Sequence, residues 1–412
     1  MMLAHKSIWY KWLMAWVGMM VGTNLVLAQP TLDALRAGAD YTLQVLLDEQ
    51  GRSRCDYHAI EGRWYPYEEA WHTGQLILGL VETYQVTGDS TYLQAARKAG
   101  DWWVSLQATE PPRLKGMLMA VHGGEVGEVI NFTTVSDGTA GLFRLSEATG
   151  DPRYAQVATE AGAWMLDNLC LLDSGVCYDM VDVSTGLAIK DESHFWPDKE
   201  TVTLFDVARP NTEGSLFKDM WEFTGEVRYK DAFLKLAYRL RDMQGEEGIW
   251  MDFSPNNREK GTFHPRSNLW YAESLLEAYA MTQDSSLLYA AQRTVDFYLS
   301  FQQKDGTFYR ANYVDGKPPI PTSVCGSTVS FLGILMLRLQ EEGVDRDYTQ
   351  RIERCHDWVL ANRFPSDHPD PNLRGAFINT RYRIKKGRLQ LIQRDVGTAF
   401  GLRFLAAYAA RG

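Results

Sequence analysis

Five times along this chain a helix ends in a short polar turn and a second amphipathic helix starts at once. The turns read VETYQVTGDSTYLQAA, LSEATGDPRYAQVA, WEFTGEVRYKDAF, AYAMTQDSSLLYAA and RLQEEGVDRDYTQRI. Gly88, Gly150 and Gly225 supply the left-handed residue that closes the first helix of a pair. Asp89, Asp151 or Asp284 then caps the next helix, and an aromatic soon after (Tyr92, Tyr154, Tyr229) begins its buried face. Internal repetition of this kind fixes architecture before any single motif does. The unit is an antiparallel helix pair.

The spacing of apolar residues and caps predicts twelve helices, near 31–49, 69–87, 90–108, 137–149, 151–170, 212–224, 228–243, 268–282, 285–303, 323–341, 346–362 and 395–410. They alternate in character. Gly74–Tyr84, Gly138–Ala148 and Ser323–Leu339 are small and apolar on nearly all faces, whereas Thr91–Gln107, Arg228–Met243 and Arg346–Ala361 are heavily charged. A helix apolar all round is buried and a half-charged one faces water. The expectation is an all-α (α/α)6 toroid, an inner ring within an outer ring, over residues 29–412 as one domain. A length of 412 residues would ordinarily suggest two or three domains, but repeat folds escape that size rule.

Residues 1–28 stand apart. His5, Lys6 and Lys11 form a basic start, Trp12 to Leu27 is an apolar run, and Val26-Leu27-Ala28 fits a small-residue cleavage site. This is a signal-peptide pattern. The run is short and interrupted by Thr23 and Asn24, which argues against a membrane anchor. The expected location is periplasmic or secreted, with no membrane association after cleavage. The net charge of −10 argues against nucleic acid, which needs a basic stripe. The five cysteines are scattered with no CxxC pair, so no metal or other cofactor is expected. Cys170 and Cys177 are spaced for one local disulfide. The oligomeric state is open, a homodimer included.

The long connections 50–68, 109–136, 171–211, 244–267, 303–322 and 363–394 all precede an inner helix, while inner-to-outer turns are a few residues. Strand-like runs occur in them at Gly248–Phe253 and Gly306–Val314. Long loops in a compact domain tend to be functional, and here they gather at the inner-helix N-termini, whose dipoles favour an anion. The junctions carry Trp71, His72, Asp137, Asp206, Arg209, Asn211, Glu213, His264, Arg266, Asn268 and Trp270, with Trp196 in the third loop. Aromatic faces stack on sugars, and a carboxyl pair can serve as acid and base. Each has a plainer reading: Asp137 and Asp395 as N-caps, His72 as a satisfied core histidine. Arg266 and Glu213 resist such readings. A charge entering an almost wholly apolar helix needs an opposite charge from the protein or a substrate.

At these junctions, over about residues 60–410, the chain resembles the unsaturated glucuronyl and rhamnogalacturonyl hydrolases, glycoside hydrolase families 88 and 105, and the related β-glucuronidases of family 154. Ser136-Asp137-Gly138-Thr139-Ala140-Gly141, followed by Glu147-Ala148-Thr149-Gly150-Asp151, is similar to their His-Asp-x-Gly stretch and Thr-Gly-Asp turn. Arg266-Ser267-Asn268-Leu269-Trp270 is similar to their Arg-Gly-Gln-Ala-Trp motif, and Pro321-Thr322-Ser323 to an Asp-x-Ser segment. The departures are Ser136 for His, Asn268 for Gln, and Arg209 where the families place their principal acid/base Asp. Asp206 and Glu213 are the nearest acids to that place.

With the signal-peptide pattern and the junction residues, the resemblance leads to the expectation of an exported, exo-acting glycoside hydrolase that removes a terminal uronic acid from an acidic oligosaccharide. Glu213 and Asp137 form the acid pair, with Asp206 a further candidate. Arg266 and Arg209 bind the carboxylate, Trp71, Trp270 and Trp196 stack, and His72, His264, Asn211 and Asn268 bond hydroxyls. Its alternatives are hydrolysis of a 4,5-unsaturated uronide, a polysaccharide lyase or sugar epimerase using histidines, and a non-catalytic sugar binder.

Overall fold

The Gly and Asp punctuation does in three dimensions what it promised. In the computed structural model, which describes residues 24–122, 129–190, 204–317, 319–385 and 387–411, Gly88, Gly150 and Gly225 are left-handed and return their amides to Tyr84, Ser146 and Trp221. Gln283 adopts the same conformation without being glycine. Asp89 and Asp284 cap the Thr91 and Ser286 amides, and Asp151 reaches that of Arg153.

The helices are α1 (Asn24–Tyr41), α2 (Glu69–Thr87), α3 (Ser90–Ser105), α4 (Phe132–Thr149), α5 (Arg153–Leu169), a single turn α6 (Leu204–Val207) and α7 (Leu216–Thr224). They continue as α8 (Val227–Asp242), α9 (Ser267–Thr282), α10 (Ser285–Leu299), α11 (Gly326–Glu341), α12 (Thr349–Ala361) and α13 (Val396–Ala409). Helices α2, α4, α7, α9, α11 and α13 form the inner ring, and α1, α3, α5, α8, α10 and α12 the outer one. The ring closes where α1 packs on α13 and α13 on α2. The fold is the expected (α/α)6 toroid. None of the helices among the described residues is long and apolar enough to cross a membrane.

Three details depart from the sequence reading. Helix α1 starts at Asn24 and ends at Tyr41 in a wide turn, Thr42–Leu46, rather than spanning 31–49. Residues 248–253 form turns, not a strand, whereas the second expected run contains Tyr309–Tyr313 as a true strand. The inner helices also carry more charge than their overall composition suggests. One linked set of ion pairs ties all six together: Arg403–Glu82 and Arg403–Glu273, Arg144–Asp219, Lys218–Glu277 and Arg338–Glu277. Interior charges persist because each has an opposite partner.

The loops before the inner helices carry short strands: β1 (Asp56–His58), β2 (Arg63–Tyr65), β3 (Val121–His122), β4 (Val129–Asn131), β5 (Cys170–Leu171), β6 (Val176–Tyr178) and β7 (Met180–Asp182). Then come β8 (Ala208–Arg209), β9 (Thr262–Phe263), β10 (Tyr309–Tyr313), β11 (Ile320–Val324), β12 (Thr380–Lys385) and β13 (Arg388–Arg394). They pair as β12-β13-β1-β2, β11-β10-β9, β3-β4-β7 and β5-β6-β8, all antiparallel, at the N-terminal mouth of the inner ring.

Helices α2 and α4 touch backbone to backbone at this mouth. A Cβ on Gly74 would sit 2.0 Å from the Gly138 carbonyl oxygen, and one on Gly141 2.5 Å from that of Gly74. Only hydrogen fits. Gly74→Ala is expected to cost about 3 kcal/mol or more by forcing the helices apart, read as a lower urea midpoint with an unchanged slope.

Candidate active site

The glycine contact sets the first candidate acid in place. With α2 pressed on α4, Trp71 Nε1 donates to Asp137 Oδ2 at 2.5 Å and Gln75 Nε2 to the Asp137 carbonyl at 3.0 Å. Asp137 is not a cap. Helix α4 begins at Phe132, and Asn131 caps it by accepting the Thr133 and Thr134 amides, so Asp137 lies in the second turn. Burial pushes its carboxyl up; Trp71 opposes this and the Glu273 charge adds to it, leaving the group at about 7.

Gly214 brings the second acid alongside. Its φ of +71° breaks the chain before α7, and a Cβ there would meet Asp137 Cα at 2.4 Å. Glu213 is therefore laid against Asp137 by the backbone itself. Burial raises the Glu213 carboxyl and Arg209 pulls against it, with a net upward shift. Arg209 Nη2 lies 3.4 Å from Glu213 Oε1, and Nη1 lies 2.8 Å from both Asp179 Oδ2 and the Ser254 carbonyl. Arg209 is thus held between two protein carboxylates and steadies Glu213, rather than offering the free cation expected for a sugar carboxylate. Asn211 likewise donates inward, to Asp179 and the Cys177 carbonyl. Cys177 is disulfide-bonded to Cys170 and is Arg209's partner across the β6–β8 ladder. Glu213 Oε2, the Tyr271 hydroxyl and Arg209 Nε are buried and make no well-formed hydrogen bond, although the Tyr271 hydroxyl lies close enough to Glu213 to help hold its charge.

Arg266 is the cation that remains. It is 3% exposed, its guanidinium lies 5.8 and 5.5 Å from the ring centres of Trp71 and Trp270, and Nη1 donates to Ser327 Oγ at 2.7 Å. Its Nε is unpartnered, and among the described residues it forms no ion pair with a carboxylate. Burial pushes it down to about 10, an unusual depression for arginine. Cys325 lies 3.9 Å away. Burial raises that thiol, but Arg266 and the Thr328 and Ser327 hydroxyls more than offset it, so the thiol titrates below its ordinary value.

His72 is a satisfied core histidine. Nδ1 bonds Asp395, whose other oxygen takes Ser53, and Nε2 lies 3.2 Å from Arg394 Nη2. Arg394 Nε in turn donates to Asp56 at 3.0 Å. Asp395 is thus spent on this network and makes no side-chain cap. Asp56, His72 and Asp395 converge closely enough to suggest a metal cage, but the Arg394 guanidinium is seated among them. The network joins the first long loop to the last, beside the ring closure. Arg394→Met should destabilise by about 3–5 kcal/mol by stranding buried Asp56. Thermal unfolding checks this, and Asp56→Asn in the same chain is expected to recover part of the loss.

His264 is half-buried, and Nδ1 accepts the Arg266 and Ser267 amides. Burial and then the surrounding arginines hold it well below the usual histidine range, so it stays neutral. Asn268 is fully enclosed, bonded to the Trp250 amide, Asn256 and Tyr298. It positions the α9 entrance and does not face a ligand. Trp196 lies outside the described residues, as does the Asp206 side chain, whose backbone is in the α6 turn. Tyr271, Asp179, Cys325 and Ser327 joined the site unannounced. Only Cys325 carried a signal, its place at the mouth of the fifth inner helix.

Comparison with known proteins narrows the class. A family model described as "Beta-L-arabinofuranosidase, GH127 catalytic domain" matches residues 22–181. No curated protein matches the chain by sequence. Among solved structures, the unsaturated glucuronyl hydrolase of Bacillus sp. GL1 is similar with a TM-score of 0.63 at 15% identity, over 92% of this chain and 96% of that one. A possible member of glycoside hydrolase family 105 from Salmonella enterica serovar Paratyphi A gives 0.62 at 13% identity, over 95% and 97%. The cellobiose 2-epimerase of Bacillus thermoamylovorans gives 0.68 at 11% identity, over 93% and 100%. These matches support a glycoside hydrolase of the (α/α)6 toroid type. At such identities the structural likenesses speak for the fold, and the choice of substrate rests on the site.

Proposed function

We propose that this protein is an exo-acting glycoside hydrolase that releases a terminal uronic acid, of β-glucuronidase type, from acidic oligosaccharides. The observation that carries the reading is Arg266, a buried guanidinium against two tryptophans with no carboxylate paired to it among the described residues. An unpaired buried charge is costly, and a sugar carboxylate taken bidentately relieves it while the indoles cover the ring.

Asp137, protonated up to about pH 7, donates to the leaving glycosidic oxygen. Glu213, its charge supported by Arg209, activates water or attacks the anomeric carbon. Export fits the basic and apolar start of the chain and the Cys170–Cys177 disulfide.

Product analysis on intact glucuronides, lyase-generated 4,5-unsaturated uronides and neutral β-glycosides tests the reading. Free uronic acid from the intact glucuronides is expected, with the neutral glycosides untouched. Loss of ultraviolet absorbance from the unsaturated set alone, or cleavage of neutral glycosides at equal rate, would overturn it.

A further inference from the structure

A second arginine stands beside the first with even less to bind it. Arg310 lies on β10, where the Cys325 amide donates to the Phe308 carbonyl and Tyr309 pairs with Val324. The ladder therefore sets Phe308 and Tyr309 against Val324-Cys325, the segment whose thiol touches Arg266, and Arg310 follows at the register shift before Ala311 pairs with Ile320. On the other side of the same segment, the Val324 amide lies 3.3 Å from Thr380 Oγ1, the residue before Arg381 on β12. Three arginines from three loops thus flank one stretch of chain.

Among the described residues the cations here outnumber the acids: Arg394, the fourth arginine, is neutralised by Asp56, and Glu68 is a further acid within electrostatic reach of Arg266. Arg310 is partly buried and makes neither an ion pair nor a side-chain hydrogen bond among the described residues. Arg394 and Arg266 both repel it. Neutral His264 sits within the field of all four guanidinium groups. Such an arrangement stores repulsion that an anion relieves, and guanidinium groups suit the oxygens of sulfate esters and carboxylates.

We infer that Arg310 forms a second anion subsite next to Arg266. The preferred substrate would then carry a sulfate ester or a second carboxylate near its terminal uronic acid. The inference rests on the uronic-acid reading and specifies its substrate class. Aromatic rings border the neighbouring arginines, Trp71 against Arg266 and Tyr67 against Arg394, and offer faces to saccharide rings.

Three uronyl disaccharides separate the possibilities: one unsubstituted, one with a sulfate ester on the second ring, and one with a carboxylate there. Binding is measured by calorimetry on Asp137→Asn protein, with and without Arg310→Gln, and hydrolysis on the protein with Asp137 intact. The doubly anionic ligands should bind at least about tenfold tighter than the unsubstituted one, with a steeper salt dependence. Arg310→Gln should bring that ratio close to one. A ratio near one with Arg310 present, or a ratio unmoved by Arg310→Gln, overturns the subsite. Whichever of sulfate and carboxylate shows the larger ratio identifies the second group. Hydrolysis of none of the three would overturn the uronidase reading, while the binding ratios would still report on Arg310.

Discussion

Asp137→Asn and Glu213→Gln are each expected to lower kcat by about 10³-fold while circular dichroism and the unfolding midpoint stay close to those of the parent protein. The two losses should differ in their pH signature. Asp137 must hold its proton to act as the acid, and burial first, then the Glu273 charge, raises it to about 7. The parent kcat/KM should therefore decline as pH rises through about 7, and that limb should vanish in Asp137→Asn. Glu213 must be charged to act as the base, so its loss removes the limb on the acid side. Leaving groups sharpen the distinction. A phenol of low pKa needs little protonation and should rescue much of the activity of Asp137→Asn, but little of that of Glu213→Gln. Full activity in both variants would remove these carboxyls from the mechanism.

The place of Asp137 was legible because turns are written locally. Gly150 and Gly225 close their helices by backbone conformation alone, so they count reliably back to the inner-helix entrances, where Asp137 and Arg209 stand. The same ruler misjudged the beginnings. Helix α4 starts at Phe132 because Asn131 caps it straight out of a strand, and a strand of three residues leaves little pattern to read. Partners distant in sequence were hidden for a different reason. Nothing near Arg209 in the chain announces Asp179, which reaches it through a strand ladder stapled by a disulfide. Tyr271 follows Trp270 on a buried helix and reads like any core aromatic. Its hydroxyl gains meaning only beside Glu213, an adjacency that the break at Gly214 creates. The interior ion pairs were masked in the same way. A charge every second or third turn of an otherwise apolar helix looks like noise until the partner helices supply its opposite.

Arg266→Met has a paired expectation that a merely structural arginine would not meet. Activity on uronides should fall by roughly a hundred- to a thousandfold, the effect of removing one member of a desolvated charge pair worth about 3–4 kcal/mol. The unliganded protein should become no less stable, and more stable if anything. Among the described residues, Arg266 loses its hydration on burial and recovers the Ser327 hydrogen bond, the Cys325 sulfur and two aromatic faces, whereas methionine fills the space without charge. Free glucuronate should raise the parent's melting temperature in proportion to the logarithm of its concentration above the dissociation constant, and leave Arg266→Met unmoved. Arg266→Lys separates charge from geometry. It keeps the cation but loses the planar fork, so partial activity with a raised KM is expected. A strongly destabilised Arg266→Met protein that still responds to glucuronate would instead make Arg266 a structural group. The first outcome is the one expected, because a guanidinium buried against two indoles with no carboxylate partner among the described residues adds little to stability.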